Sequence, residues 1–248
     1  MNPSQPPRIA ILQFDADNPP GYLGTWLAER ALPFALLRLD ITPALELGGY
    51  DGYALMGGPM MVGDDLPWMH AVIDQLRRNL DDGCPTLGHC LGGQMLAHAA
   101  GATVGPCAHP EVGWADVAPA ANPVARQWLG PHAERATMPV YHWHFHAFEL
   151  PAGAELLLTR PEMPNQAFAL GPHVGFQSHL EIDPSTLASW YRAQPDPEGA
   201  YPVGTIQSPA AALGQAPHKI PEMRRLSSHA YARWIASVAE FRRSRPRS

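Results

Sequence analysis

The sequence is poor in cysteine and in charged residues. It has 3 cysteines in 248 residues, an odd number without the spacing of a disulfide framework, which indicates a reducing compartment and free thiols. Charged residues make up only 16% of the chain and the formal net charge is −6, so no basic surface for nucleic acid is indicated. We therefore expect a protein that acts on small molecules.

Long apolar runs are also absent. We find no run of eighteen or more apolar residues, and residues 1–7 lack the apolar core of a secretory signal. These absences predict a soluble, cytoplasmic protein with no membrane partner. The hydrophobic content of 46% can fill a sizeable core, and the length suits one large α/β domain or two small ones, of which we expect one.

Apolar strand-like segments alternate with amphipathic ones in the first hundred residues. Residues 8–14 form a continuous apolar run, typical of a strand that is buried on both faces of a parallel sheet. The next predicted elements are a helix at 21–32, strands at 34–39 and 53–56, a helix at 66–80, a strand at 84–88 and a helix at 91–100. This order predicts an α/β fold with a mainly parallel, flavodoxin-like central sheet, helices on both faces and ligands at the carboxyl ends of the strands.

The pattern changes between residues 103 and 177 to short β-like segments broken by proline and glycine. We interpret them as a small antiparallel elaboration followed by a return to the main sheet. Helices are predicted at 184–191 and 225–242. The intervening residues 195–221 contain six prolines and predict a surface loop or lid rather than a regular element.

The most informative stretch runs from Gly88 to Gln94. It places Cys90 at a sharp turn between a predicted strand and a predicted helix, with a glycine two residues before it and another two residues after it. A G-x-C-x-G turn is typical of a nucleophile elbow, and the start of a helix favours the thiolate over the thiol. Cys90 is therefore the candidate nucleophile, whereas Cys84 and Cys107 are predicted to be small buried hydrophobes.

A second stretch, at residues 176–181, contains the candidate partners of that cysteine. On an extended segment, residues two apart face the same way at about 6.6 Å, so Glu181 can contact the imidazole of His179. A carboxylate in that position fixes the tautomer and favours the imidazolium that forms when Cys90 loses its proton. We predict His179 as the base and Glu181 as the residue that orients it.

Acyl transfer also requires hydrogen-bond donors for an oxyanion. The backbone NH of Leu91, directly after the candidate nucleophile, is one predicted donor, and the NH of Gly58 is the second. The Gly57-Gly58-Pro59 motif on its own also fits an ordinary turn at the end of a strand.

Together these motifs resemble those of the class I glutamine amidotransferases. The elbow resembles their G-x-C-x-G-x-Q signature, Gly57-Gly58-Pro59 resembles their oxyanion strand, and residues 177–181 resemble their Q-x-H-P-E motif, with Leu180 at the position of the proline. Stand-alone proteins similar to the amidotransferase domain of GMP synthase are the best match. They share the pattern of residues 56–60, 111–114 and 142–151.

The resemblance implies an amidotransferase domain at residues 8–190, with 191–248 as a proline-rich loop and a C-terminal helix packed on it. It implies hydrolysis of the γ-amide of glutamine, or of a γ-glutamyl small molecule, through a γ-glutamyl thioester, with release of ammonia and without a cofactor. Gln94 and the backbone around His144 and Phe145 would hold the substrate.

Several roles stay open on the sequence alone. The protein could pass ammonia to a synthase subunit in trans, or act by itself as a γ-glutamyl hydrolase or peptidase. Met60 and Met61 replace a glycine-rich turn of many family members, which allows a larger γ-glutamyl substrate.

Two hypotheses of another class are a non-catalytic binding or regulatory module, and a metal-dependent hydrolase or metal-binding module. The alternating His142, His144 and His146 would share one face of a strand and could chelate a transition metal. The run carries no obvious carboxylate at metal spacing, so we expect no metal there.

Overall fold

A computed structural model of the chain describes residues 6–42, 46–194 and 206–245. The strands are β1 (Ile9–Gln13), β2 (Phe34–Arg38), β3 (Gly52–Leu55), β4 (Thr86–His89), β5 (Val104–Pro119), β6 (Met138–Phe148), β7 (Glu155–Arg160), β8 (Met163–Leu170) and β9 (His173–Phe176). The helices are α1 (Gly21–Glu29), α2 (Pro67–Asp82), α3 (Leu91–Ala99), α4 (Pro123–Leu129), α5 (Pro184–Ala193) and α6 (Pro209–Ser244), with a 3₁₀ turn at Gly130–Glu134.

The strands of the described ranges form one mixed sheet in the order β2-β1-β3-β4-β9-β8-β7-β5-β6. The pairs from β2 to β9 are parallel, and those from β9 to β6 are antiparallel. The α/β class is confirmed, but the expectation of a mainly parallel sheet is not. Tight two-residue connections, at 161–162 and 171–172, join β7 to β8 and β8 to β9, and such short turns can only join antiparallel strands.

The two faces of the sheet bury separate apolar layers. Along β1, Ile9 and Ile11 belong to one buried cluster, and Ala10 and Leu12 belong to the other. This alternation follows from the two-residue repeat of a strand, and it shows that the centre of the sheet is covered on both sides. Among the described helices, none has both the length and the apolar character that crossing a bilayer requires.

The last helix begins much earlier than the sequence predicts. Residues 195–205 of the predicted loop lie outside the described residues, but 209–221 form the first part of α6, so the loop prediction is wrong there. Pro217 and Pro221 each cost the helix about 3 kcal/mol in lost hydrogen bonding and steric conflict. Burial of an apolar stripe at three- and four-residue intervals offsets this cost. The stripe includes Ala212, Ala216, Ile220, Met223 and Leu226.

The same helix packs into the core rather than lying on the surface. Ile220, Met223 and Trp234 are buried in the cluster that also contains Ile9 and Leu87 of the sheet. The C-terminal segment therefore shares its apolar core with the parallel strands. The division of the chain near residue 190 into a domain and a packed extension stays a prediction.

Removing the largest buried side chain of α6 is expected to destabilise the whole fold. Trp234 is fully buried, and its replacement by alanine leaves a cavity in the shared core. We expect Trp234→Ala to lower the free energy of unfolding by about 3–5 kcal/mol, measured by denaturant titration. Leu213→Ala on the same helix is the control, because Leu213 is 37% exposed. Equal stabilities of the two variants would contradict the packing described for α6.

Candidate active site

Cys90 lies on a strained turn between β4 and α3. Its backbone has φ 48° and ψ −111°, in a region that residues with a Cβ rarely adopt. The neighbouring glycines make this turn possible. A Cβ on Gly88 would come within 2.5 Å of the backbone of Gly92, and a Cβ on Gly92 within 2.5 Å of the carbonyl oxygen of Leu55. Only glycine fits either position, so the elbow geometry predicted from the sequence is present.

His179 and Glu181 contact each other just beyond the end of β9. The Nδ1 of His179 lies 2.8 Å from Oε1 of Glu181, and both side chains are buried. Strand β9 ends at Phe176, so the pair lies in a turn rather than on the extended segment assumed from the sequence. The backbone NH of His179 donates to the carbonyl oxygen of Tyr141 at 2.8 Å, which fixes this turn against β6.

Cys90 and His179 line the same cavity, and Cys90 is one of the groups that influence the pKa of His179. Burial lowers the pKa of His179, but the charges of Cys90 and Glu181 and their hydrogen bonds outweigh burial and raise the pKa to about 10. These two neighbours therefore favour the imidazolium form of His179. Burial raises the pKa of Cys84 to about 12 and that of Cys107 to about 11, so both of these thiols stay protonated. Cys84 is buried as predicted, whereas Cys107 is only half-buried.

A cavity of about 650 Å³ opens in front of these side chains. It is lined by Cys90 and His179 and by four further residues predicted from the sequence: Gly58, Gln94, His144 and Phe145. Leu91 is buried and is the first residue of α3, directly after Cys90. The amide nitrogen Nε2 of Gln94 donates a hydrogen bond to the carbonyl oxygen of His146 at 2.7 Å. Its side chain therefore also braces the cavity wall.

Two residues beside His179 have a role that sequence reasoning missed. A Cβ on Gly57 would lie 2.6 Å from Cε1 of His179, so this position must be glycine for the ring to fit. The ring of Trp190, on α5, meets the imidazole edge-on with 4.8 Å between centroids. From the sequence, the Gly57-Gly58 motif predicts only a hydrogen-bond donor for an oxyanion. A tryptophan on a predicted helix gives no indication of function by itself.

Gly57→Ala is expected to displace the imidazole without unfolding the protein. The added methyl group collides with Cε1 of His179, and a misplacement of about 1 Å in a catalytic group costs about 10²-fold in kcat. Steady-state kinetics with a γ-glutamyl amide would measure the loss, and denaturant unfolding would check stability. The matched control is Gly48→Ala, where an added Cβ has no neighbour within 4 Å. If both variants kept wild-type kcat, the prediction that the position of the His179 ring controls the rate would be wrong.

A second polar layer lies behind Glu181. Its Oε2 is 3.7 Å from Nε2 of His89, and the hydroxyl of Tyr231 on α6 is 3.2 Å from the same nitrogen. Burial lowers the pKa of His89, which keeps this ring neutral. The C-terminal helix therefore contacts His89, the residue next to Cys90. This contact joins distant parts of the chain, so no local sequence motif predicts it.

The alternating histidines separate in the structure. His142 and His144 are buried together with Glu111, whereas His146 is not part of this group; both His144 and His146 line the cavity. The carboxylate that the histidine run itself lacks comes from the neighbouring strand, because Glu111 of β5 pairs with His144 of β6 in the antiparallel register. Burial opposes ionisation of Glu111, but the hydrogen bond from His144 and the charges of His142 and His144 outweigh burial and lower its pKa to about 2.

Fold and site together define an α/β protein with a cysteine on a strand-to-helix elbow at the edge of a cavity. Residues 26–192 match the model of the family described as glutamine amidotransferase class-I. The chain therefore belongs to the class I glutamine amidotransferase family.

Relatives with solved structures extend over nearly the whole chain. A glutamine amidotransferase from Methylobacillus flagellatus is 34% identical, with a TM-score of 0.88 over 94% of this chain and 96% of that one. A glutamine amidotransferase from Thermotoga maritima shares the fold at 24% identity, with a TM-score of 0.81 over 93% of this chain and 99% of that one.

Curated sequence relatives are longer. The GMP synthase [glutamine-hydrolyzing] of Thermomicrobium roseum is 32% identical over 144 residues, which are 56% of this chain and 24% of that protein. The chain thus matches about a quarter of the length of this relative.

Proposed function

We propose that the protein hydrolyses the γ-amide of glutamine or of a γ-glutamyl compound. The observation that carries this proposal is that Cys90 and His179 line one cavity, while Glu181 contacts the imidazole of His179 at 2.8 Å. Such an arrangement of thiol, imidazole and carboxylate suits covalent acyl transfer. Membership of the glutamine amidotransferase family supports the same reaction.

The proposed reaction has two halves. His179 holds the proton of Cys90, and the thiolate attacks the γ-carbonyl carbon while the NH groups of Gly58 and Leu91 stabilise the oxyanion. The imidazolium then protonates the leaving nitrogen, which departs as ammonia and leaves a γ-glutamyl thioester on Cys90. Water, deprotonated by His179, cleaves the thioester and releases glutamate. Glu181 keeps Nδ1 protonated throughout, so that Nε2 exchanges protons with the substrate.

Substrate binding is assigned to the wall of the cavity nearest α3. The side-chain oxygen of Gln94 and the backbone around His144 and Phe145 hold the glutamyl part. The hydrogen bond from Gln94 to the carbonyl oxygen of His146 supports this assignment, because it fixes the side chain at the cavity.

Mass spectrometry of the intact chain tests the proposal. The protein is mixed with glutamine or with γ-glutamyl peptides and quenched in acid, and we expect a γ-glutamyl adduct that maps to Cys90. The electrophilic glutamine analogue diazo-oxo-norleucine should label the same residue. Cys84→Ala, which removes a buried thiol that does not line the cavity, is expected to give the same adduct. An adduct on Cys84 or Cys107, or turnover without any adduct on Cys90, would count against the thiol mechanism.

Two roles for this chemistry are each favoured by an observation. A cavity of about 650 Å³ lies in the range that accommodates drug-sized ligands, and Met60 and Met61 are among the residues that line it, which favours a self-standing γ-glutamyl hydrolase. The similarity to part of a GMP synthase favours a subunit that supplies ammonia to a synthase in trans. Turnover of the isolated chain separates them, because a hydrolase cleaves free γ-glutamyl amides, whereas an ammonia donor stays nearly silent without its partner.

A further inference from the structure

Three side-chain atoms converge in the core between β5 and β6. The Nε2 of His144 lies 3.0 Å from Oε2 of Glu111 and 3.3 Å from Nδ1 of His142, and that Nδ1 lies 3.8 Å from the same carboxylate oxygen. All three residues are at least 97% buried. The reaction proposed above uses none of these three side chains.

The spacing of these atoms matches the corners of a coordination tetrahedron. Zinc binds imidazole nitrogen and carboxylate oxygen at about 2.0–2.2 Å, which separates two ligand atoms of a tetrahedron by about 3.3–3.6 Å. The three observed separations, 3.0, 3.3 and 3.8 Å, bracket this range. Two imidazoles and one carboxylate are also a donor set that suits zinc better than the all-oxygen cations magnesium and calcium.

Hydrogen bonds among Glu111, His142 and His144 do not pair all of their nitrogen and oxygen atoms well. The Nε2 of fully buried His142 has no hydrogen-bond partner among the described residues, so any favourable contact of that ring must be made at Nδ1. If Nδ1 donates to Nε2 of His144, that nitrogen faces the carboxylate oxygen as a second acceptor at 3.0 Å. If Nε2 of His144 carries a proton instead, this single N–H faces two acceptors, the carboxylate oxygen at 3.0 Å and the Nδ1 lone pair of His142 at 3.3 Å. A cation between the three atoms satisfies all three lone pairs.

The surroundings resemble the outer shell of a metal site. Arg160 is hydrogen-bonded to Oε1 of Glu111, and Nε2 of Gln166 donates to Oε2 at 3.1 Å. On the other side, Nδ1 of His144 lies 3.9 Å from Sγ of Cys107, so a proton on Nδ1 points toward sulfur and leaves Nε2 free as a ligand. Such contacts orient ligand side chains and fix the tautomer of a ligating histidine.

We propose that Glu111, His142 and His144 form a buried zinc site that ties β5 to β6. A set of three protein ligands leaves a fourth position for water. The ion would hold the strand that carries His144, a residue that also lines the cavity, and so would stabilise one wall of the candidate active site. It is separate from the thiol of Cys90.

Zinc binding by the full chain, with any affinity tag removed, tests this site. Metal-free protein prepared by dialysis against a chelator is titrated with zinc in competition with a chromophoric chelator, and elemental analysis gives the stoichiometry. We expect one zinc per chain and, after substitution with cobalt, the visible absorption of a tetrahedral site. His142→Phe keeps the volume of the ring without its nitrogen and should abolish binding. Gln166→Ala, which removes an outer hydrogen bond, should weaken it by about tenfold.

Two further variants localise the metal. His98→Ala removes an exposed histidine of α3 and is expected to bind zinc like the wild type. Cys90→Ala is expected to do the same, which would place the ion away from the thiol. Absence of zinc uptake by the folded wild-type chain, equal uptake by His142→Phe, or loss of uptake in Cys90→Ala would each overturn the proposal. Circular dichroism verifies that the variants are folded, and since binding is measured without substrate, the result does not depend on the proposed hydrolysis.

Discussion

Replacing Cys90 by alanine is expected to lower kcat for γ-glutamyl amide hydrolysis by about 10⁴-fold or more. The variant has no atom that can form the thioester, so only substrate binding and the oxyanion donors remain to accelerate attack by water. Steady-state ammonia release and intact-protein mass spectrometry measure the loss. Binding of substrate should persist, because the cavity wall at Gln94 and His144 is unchanged.

The matched control for this variant is Cys84→Ala. Both substitutions remove a buried thiol, but Cys84 is not among the residues that line the cavity. We expect Cys84→Ala to retain wild-type kcat with a small loss of stability. If Cys90→Ala turned over substrate as fast as Cys84→Ala, the assignment of Cys90 as nucleophile would be wrong.

Glu181→Gln is expected to lower kcat by about 10³- to 10⁴-fold while leaving KM and the fold nearly unchanged. A carboxylate 2.8 Å from Nδ1 of His179 accepts only, which keeps the proton on that nitrogen. The glutamine amide can instead donate to Nδ1 and stabilise the tautomer whose Nε2 cannot accept a proton. Loss of the negative charge also lowers the pKa of His179, so the imidazolium is less populated at neutral pH. Steady-state kinetics across a pH series would measure both effects.

Asp183→Asn provides the comparison for this carboxylate-to-amide change. Asp183 lies two residues further along the chain and caps α5 by accepting from the NH groups of Ser185 and Thr186. Asparagine caps helices equally well, so activity and stability should stay near wild type. A similar loss of activity in both variants would mean that Glu181 acts only through the shape of this loop.

The elbow and the parallel strands were predictable because their signals are local. Gly88, Cys90 and Gly92 lie within one stretch of five residues, so the glycines that the turn requires are visible next to the cysteine in the sequence. Strand β1 could be predicted from its own apolar residues, without knowing which strands pair with it. The proximity of His179 and Glu181 also followed from their spacing, although a turn, rather than a strand, brings them together.

Contacts across the sheet and along α6 could not be predicted in the same way. The pairing of Glu111 with His144 depends on the register of two strands that are connected by residues 120–137, and a register shift between Pro106 and Glu111 adds to the difficulty. The prolines at 217 and 221 predicted a loop because their local cost is visible in the sequence. The burial of the apolar stripe offsets this cost. That burial depends on residues far away in the sequence, so it cannot be predicted from a short segment.

The hydrogen bond between Tyr231 and His89 has a consequence for synthesis. The two residues are 142 positions apart, and the phenol comes from the final helix. During translation, a nascent chain that ends before residue 231 can already contain the elbow, the imidazole and the carboxylate, but not the hydroxyl that closes the polar layer behind them. The interior of this site is therefore assembled from distant parts of the polypeptide, and its last component emerges from the ribosome well after its thiol.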